Sequence, residues 1–91
     1  MPKTEVVRVA IVEDHEALRT SLARLIGRAP GFCCVAACPD AETALRELPT
    51  AAPHVVLMDL QLPGMSGAEC IARLHECLPS AEVLVLTVYD D

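Results

Sequence analysis

The chain has 91 residues, enough for one small domain, and hydrophobic residues make up 53% of it, which excludes intrinsic disorder. Aromatic residues make up only 2%, and the formal net charge is −6. This composition excludes a nucleic-acid surface built from stacking aromatic rings or from clustered basic side chains.

No apolar run reaches the ~20 residues needed to span a bilayer, and residues 1–5 lack the features of a signal peptide. The five cysteines are an odd number, and they lie in apolar surroundings. A cytoplasmic protein with free thiols and no membrane partner is therefore predicted. Cys33, Cys34 and Cys38 lack a second Cys/His pair at zinc spacing, so we interpret them as buried structural thiols.

Short β-branched runs predict four strands, and amphipathic patterns predict three helices between them. The strands are predicted over 7–12, 32–37, 54–58 and 82–86, and the helices over 15–28, from Asp40 to about Leu48, and from Ser66 to about Leu78. Asp40 is expected to cap the second helix, and Ser66 with Glu69 forms a capping box for the third. Strands that alternate with helices indicate an α/β fold with a parallel sheet, right-handed crossovers and helices on both faces.

Acidic and hydroxyl side chains follow three of the predicted strands. Glu13 and Asp14 come after the first strand, Asp59 after the third and Thr87 after the fourth. Ligands of open parallel sheets bind outside the carboxyl ends of the strands, so these residues are expected to converge there. Taken singly, Asp14 also fits a helix cap, Glu13 a solvated charge, Asp59 a turn residue and Thr87 a strand former.

Converging carboxylates repel one another unless they are protonated or bind a cation. A site made only of oxygen atoms suits Mg²⁺, which would neutralise charge on an incoming phosphoryl group. Asp59 stands alone at the end of a central strand and is the expected nucleophile that forms an aspartyl-phosphate. Thr87 could donate a hydrogen bond to a phosphoryl oxygen.

These motifs together resemble the receiver domain of bacterial two-component response regulators. The resemblance is carried by residues 13–14, 56–59, 62–67 and 86–87, and segments 11–15 and 86–91 are most similar to regulators of the NarL/FixJ type, which carry a helix-turn-helix output domain. It implies a flavodoxin-like (CheY-like) doubly wound parallel sheet with strand order 2-1-3-4. It also implies phosphoryl transfer from a sensor histidine kinase, and DNA binding only through an output domain.

The resemblance also implies a role for each matching residue. Asp59 corresponds to the phosphoacceptor and Asp14 to the acidic residue that binds Mg²⁺ directly, while Glu13 is the neighbour that acts through water. The backbone carbonyl of Gln61 corresponds to the third protein ligand of the metal, and Thr87 to the switch hydroxyl. Such a domain assists its own phosphorylation and dephosphorylation, and we expect no other enzymatic activity.

The family fold continues with a fourth helix, a fifth strand and a fifth helix, and its fifth strand carries a lysine that pairs with the phosphoryl group. The single lysine here is Lys3, ahead of the first strand. We therefore expect residues 1–91 to form a C-terminally incomplete receiver domain with no output domain. The alternative is a phosphate-independent interaction module, a pseudo-receiver. A flavin-binding protein of this topology and a hydrolase acting through Asp59 are weaker alternatives, since no aromatic residues are placed to hold a flavin ring and no general acid closely follows Asp59.

The strand order 2-1-3-4 would leave the strand at 82–86 as an apolar edge. The first helix would also expose part of its apolar stripe, which consists of Leu18, Leu22, Leu25 and Ile26. We therefore expect the chain to form homodimers or to associate through one of these two surfaces.

Overall fold

The computed structural model describes residues 5–86 of the chain, and within this range four strands alternate with three helices. The elements are β1 (Val7–Val12), α1 (Glu16–Arg28), β2 (Phe32–Cys38), α2 (Ala41–Ala51), β3 (Val55–Asp59), α3 (Gly67–Cys77) and β4 (Glu82–Leu86). The predicted type and order of these elements are confirmed. Their predicted ends agree within one residue or so, except at the end of α2.

The four strands form one parallel sheet in the order β2-β1-β3-β4, which confirms the predicted topology. Val12 of β1 lies opposite Cys38 of β2 and Met58 of β3, and Asp59 lies opposite Leu86 of β4. The carboxyl ends of the strands are therefore aligned. The residues that follow β1 therefore lie beside the carboxyl end of β3.

Helices cover both faces of the sheet, as expected for a doubly wound fold. Ala10, Val12 and Met58 belong to a buried cluster that includes residues of α2 and α3. Val9 and Ile11 are also buried but lie outside this cluster, because successive side chains of a strand point to opposite faces. Helix α1 packs against β1 and β2, and α2 packs against α3.

Helix α1 is the least buried of the three helices. None of its residues is fully buried, and Leu25 retains 66% of its exposure. Leu18, Leu22 and Ile26 are half-buried. The predicted exposure of part of this apolar stripe is therefore confirmed.

Helix α2 extends further than predicted, since it runs to Ala51 with Pro49 inside it, and the predicted end near Leu48 was wrong. Leu48 is completely buried, and its carbonyl accepts a hydrogen bond of 2.8 Å from the Ala52 N–H. Ala52 adopts a left-handed conformation (φ 51°) that ends the helix. Burial of Leu48 therefore outweighs the one helical hydrogen bond that a proline cannot make.

Helix α3 begins against the backbone that follows β3. Ser66 caps it as predicted, with its hydroxyl oxygen 3.1 Å from the Glu69 N–H that donates to it. The Glu69 carboxylate pairs with Arg73 at 3.0 Å instead of returning to the cap, so only half of the capping box forms. A Cβ atom on Gly67 would lie 2.7 Å from Leu60 Cα, so this position needs glycine for close approach.

Strand β4 is an edge of the sheet within residues 5–86, since it pairs there with β3 alone. Leu84 and Val85 retain 52% and 45% of their exposure. The predicted apolar edge is therefore present in the structure.

Candidate functional site

The candidate site lies where β1 and β3 end. Glu13 and Asp14 follow the last residue of β1, and Asp59 is the last residue of β3. One carboxylate oxygen from each of these three residues lies within 4.8 Å of the other two. The structure therefore brings together the three acidic residues that the sequence analysis selected, through the pairing of two neighbouring parallel strands.

Glu13 is the most buried member of the cluster, with 2% of its surface exposed. Its Oε2 accepts a 2.9 Å hydrogen bond from the His15 N–H, whereas its buried Oε1 has no hydrogen-bond partner. Burial raises the pKa of Glu13, the bond from His15 opposes that rise, and the neighbouring carboxylates of Asp59 and Asp14 add to it. An unpartnered carboxylate oxygen beside two further carboxylates is costly without a cation.

Asp59 is held by the start of its own loop. Its Oδ1 accepts a 2.9 Å hydrogen bond from the Gln61 N–H, which is the geometry of an Asx turn. Its residue exposure is 8%, while Asp14 beside it is exposed. The cluster therefore combines a largely buried aspartate, held by one hydrogen bond, with a second aspartate that is exposed to solvent.

The donor set fits a hard divalent cation. Three carboxylates offer only oxygen ligands, and Mg²⁺ is usually held by one or two carboxylates together with water and phosphate oxygens. The unpartnered Oε1 of Glu13 is the observation that a cation in this cluster would explain. These residues could therefore hold a magnesium ion.

The protein family follows from comparison with known sequences. Residues 9–91 match the response regulator receiver domain. The chain belongs to this family. Its fold, with four parallel strands in the order 2-1-3-4 and three helices, matches the receiver structures to which it is similar.

Two curated relatives contain a segment that is similar to this receiver domain. The nitrate/nitrite response regulator protein NarL of Escherichia coli (strain K12) is 31% identical over 88 residues, which are 97% of this chain and 41% of NarL. A protein-glutamate methylesterase/protein-glutamine glutaminase of Burkholderia thailandensis is 35% identical over 79 residues, which are 87% of this chain and 22% of that enzyme. The chain thus spans less than half the length of these curated relatives.

A solved structure agrees with the sequence matches. The receiver domain superimposes on a LuxR-family two-component response regulator from Aurantimonas sp. SI85-9A1 with a TM-score of 0.85 and 35% sequence identity. The match covers 94% of this chain and 61% of that one. The predicted resemblance to response regulators of the NarL/FixJ type is therefore confirmed.

Two residues selected from the sequence are not among the cluster's side chains. Gln61 lies two residues after Asp59. The backbone N–H of Gln61 donates a hydrogen bond to the Asp59 carboxylate. Thr87 lies outside the described residues 5–86, as does Lys3. The assigned roles of the Gln61 carbonyl and of the Thr87 hydroxyl therefore stay predictions.

Arg19 is a contact of the receiver site that the sequence analysis missed. Arg19 lies inside the helix that was predicted over 15–28, but its side chain reaches back to the loop that follows β1. Its Nη1 donates to the carbonyl of Glu13 at 2.9 Å and lies 3.4 Å from that of Asp14. Long side chains on a helix lean toward the helix N-terminus, so the position of Arg19 in the first turns of α1 was the signal that could have predicted this contact.

The cysteines of the receiver domain take no part in the cluster. All five are free, and the acidic cluster is the sole group of three or more potential ligands found among residues 5–86. Burial raises the pKa of Cys38 to about 11, which suits an unreactive thiol. Within the described part of the chain, no helix combines the length and apolar character that a membrane crossing requires.

The raised pKa of Glu13 predicts how the stability of the metal-free domain depends on pH. The folded state retains a proton on Glu13 at pH values where the unfolded chain, with a pKa near 4.5, has lost it. This stabilisation is fully present below 4.5 and is lost as the pH rises through the raised value. In EDTA, the unfolding free energy of wild type minus that of Glu13→Gln, measured by urea unfolding, should therefore fall as the pH rises above 4.5 and through the raised pKa of Glu13. A difference that stays constant across this range would contradict the prediction.

Proposed function

We propose that this receiver domain accepts a phosphoryl group on Asp59 from a phosphohistidine of a sensor histidine kinase. The observation that carries the proposal is the meeting of Glu13, Asp14 and Asp59, with one buried carboxylate oxygen of Glu13 left without a partner. A surface cluster of acids would leave each carboxylate hydrated instead. Membership of the receiver family supports the same function.

The transfer exchanges one bond to phosphorus for another. An oxygen of the Asp59 carboxylate forms the new P–O bond as the P–N bond to the donor imidazole breaks, and the imidazole nitrogen keeps the electron pair and takes up a proton. Bound Mg²⁺ would supply charge neutralisation between the carboxylates and the phosphoryl oxygens. The hydrogen bond from the Gln61 N–H keeps the Asp59 carboxylate in one orientation during the attack.

We assign the metal ligands as the side chains of Asp14 and Asp59 and the backbone carbonyl of Gln61, with Glu13 acting through water. Asp14 and Asp59 contribute to the oxygen cluster, and Glu13 lies behind them in a more buried position. Thr87 follows β4, the strand that pairs with β3, and we assign its hydroxyl to the phosphoryl oxygens. The domain assists its own phosphorylation and dephosphorylation and performs no other catalysis.

A pseudo-receiver, which is a phosphate-independent interaction module, is the second candidate function, since the family match establishes the receiver domain and not phosphoryl transfer. Beryllofluoride with Mg²⁺ separates the two candidates, since beryllofluoride binds an aspartate carboxylate as a phosphoryl mimic. A competent acceptor should show NMR shifts at Asp59 and Gln61 with both reagents together, and smaller shifts at Asp14 with Mg²⁺ alone. Spectra that do not respond to either addition would support the pseudo-receiver.

We also propose that the phosphorylated domain controls a DNA-binding output domain in the cytoplasm. The similarity to NarL and to a LuxR-family regulator supports this output, and the five free thiols support a reducing compartment. The acidic net charge of this domain leaves DNA contact to the output domain. Reading the complete gene tests the assignment: a helix-turn-helix domain encoded in the same protein is expected, and a methylesterase domain would contradict it.

We further propose that copies of this chain associate through the β4 edge. Within residues 5–86, β4 pairs on one side only, so it offers unpaired backbone groups there, and it also exposes Leu84 and Val85. Leu84→Lys places a charge on this edge and should convert dimers or larger species to monomers in light scattering at high protein concentration. Leu25→Lys on α1 is the matched control and should leave the association unchanged. If only Leu25→Lys dissociates the chain, the α1 face is the interface instead.

A further inference from the structure

Arg19 fixes the loop that carries the first two acidic residues of the site. Its Nη1 donates to the Glu13 carbonyl at 2.9 Å and is 3.4 Å from the Asp14 carbonyl, and its backbone N–H donates to the His15 carbonyl at 2.9 Å. Three successive carbonyls, from Glu13 to His15, therefore contact one residue of α1. Among residues 5–86, no other side chain donates a hydrogen bond to the carbonyls of this stretch, and the one other side-chain contact to its backbone is the bond that Glu13 Oε2 accepts from the His15 N–H.

The loop after β1 depends on such contacts because the backbone hydrogen bonds of the sheet end at Glu13. The Glu13 N–H makes the last bond to β2, donating to the Cys38 carbonyl at 3.0 Å. Beyond that bond, the direction of the Glu13 and Asp14 side chains depends on the turn into α1. Arg19 is half-buried there, and it contacts backbone carbonyls and not carboxylates, so it leaves the carboxylate oxygens free.

We propose that Arg19 is a positioning residue for the metal site: by holding the carbonyls of Glu13 and Asp14, it directs their carboxylates toward Asp59. The inference rests on the proposed function, because its purpose is to preorganise ligands for the divalent cation. Arg19 does not touch the reacting atoms and is not a catalytic residue.

The charge of Arg19 and its contacts with the loop predict opposite effects of removing this side chain on the affinity for a divalent cation. Removing a positive charge near three carboxylates should strengthen the binding of a cation, whereas loss of the backbone contacts should weaken it. Arg24 supplies the matched control, since it is an exposed arginine of the same helix and lies in a shallow cavity with Ser21, Leu25 and Arg28. Replacing either arginine changes the net charge of the domain equally.

The test compares the full chain with Arg19→Ala, Arg19→Lys and Arg24→Ala. In a Mg²⁺ titration followed by NMR or calorimetry, Arg19→Ala should weaken binding by about tenfold, Arg19→Lys by less, and Arg24→Ala should leave it unchanged or slightly tighter. In metal-free protein, Arg19→Ala should also speed hydrogen exchange of the His15 amide, which donates to the Glu13 carboxylate. Exchange at amides in the middle of β1 should not change.

The outcomes separate the positioning role from the proposed function. Equal behaviour of Arg19→Ala and Arg24→Ala in both measurements would overturn the positioning role. If the wild-type chain takes up no Mg²⁺, the metal assignment fails, and exchange of the His15 amide alone decides the role of Arg19. If Arg19→Ala does not fold, Arg19→Lys decides: weaker Mg²⁺ binding supports the proposal, and wild-type affinity overturns it.

Discussion

Replacement of Asp59 by asparagine is expected to reduce phosphoryl incorporation by at least about a thousandfold, because the amide offers no nucleophilic carboxylate oxygen. Asparagine has nearly the same volume, and its carbonyl oxygen can still accept the hydrogen bond from the Gln61 N–H. Loss of one negative charge beside the buried Glu13 also relieves repulsion. The variant should therefore fold at least as stably as the wild type.

The measurement is intact-protein mass spectrometry after incubation with phosphoramidate and Mg²⁺. Asp40→Asn is the matched control, since Asp40 caps α2 by accepting from the Thr43 N–H at 2.7 Å and asparagine caps a helix equally well. The control should gain the mass of one phosphoryl group at the wild-type rate. Labelling of Asp59→Asn at the wild-type rate would place the acceptor on another residue.

Replacement of Gly67 by alanine is expected to destabilise the fold by about 2 kcal/mol, although alanine is normally the better helix former. The added Cβ would lie 2.7 Å from Leu60 Cα, 2.8 Å from Leu60 Cδ2 and 3.2 Å from the Asp59 carbonyl oxygen. Two of these atoms are backbone, so they cannot rotate away. The helix or the segment after Asp59 must shift to make room.

Gly27→Ala on α1 is the control, because a Cβ there would meet nothing within 4 Å. It should stabilise the domain by roughly 0.5–1 kcal/mol, so the same chemical change has opposite signs at the two positions. Urea unfolding of both variants measures the difference. Gly67→Ala should also weaken Mg²⁺ binding, since the displaced segment includes the site. If Gly67→Ala is as stable as Gly27→Ala, α3 does not constrain the segment that follows Asp59.

Much of the fold was predictable because local patterns and topology agree. The short apolar runs mark buried parallel strands, and the alternation of strands with helices leaves few topologies. The convergence of Glu13, Asp14 and Asp59 follows from the same reasoning, since it needs only that β1 and β3 be neighbours. Asp40 and Ser66 were recognisable as helix caps because the capping bond spans only three residues.

The features that sequence reasoning missed depend on tertiary contacts. The continuation of α2 past Pro49 depends on the burial of Leu48, which a local pattern does not weigh against a proline. The reach of Arg19 depends on the side-chain rotamer and on the path of the loop after β1. The close approach of Gly67 to Leu60 depends on where α3 sits over the sheet. The Thr87 assignment rests on its position after β4 in the sequence and on family resemblance, since that residue lies outside residues 5–86.

Helix α1 should open more readily than the rest of the fold, because none of its side chains is fully withdrawn from water. Such a subglobal opening would also release the guanidinium of Arg19 from the Glu13 carbonyl. By thermodynamic linkage, an ion that binds only the closed form raises the free energy of this opening in proportion to the logarithm of its concentration. Magnesium occupancy and the local stability of a helix that supplies no ligand would thus rise and fall together.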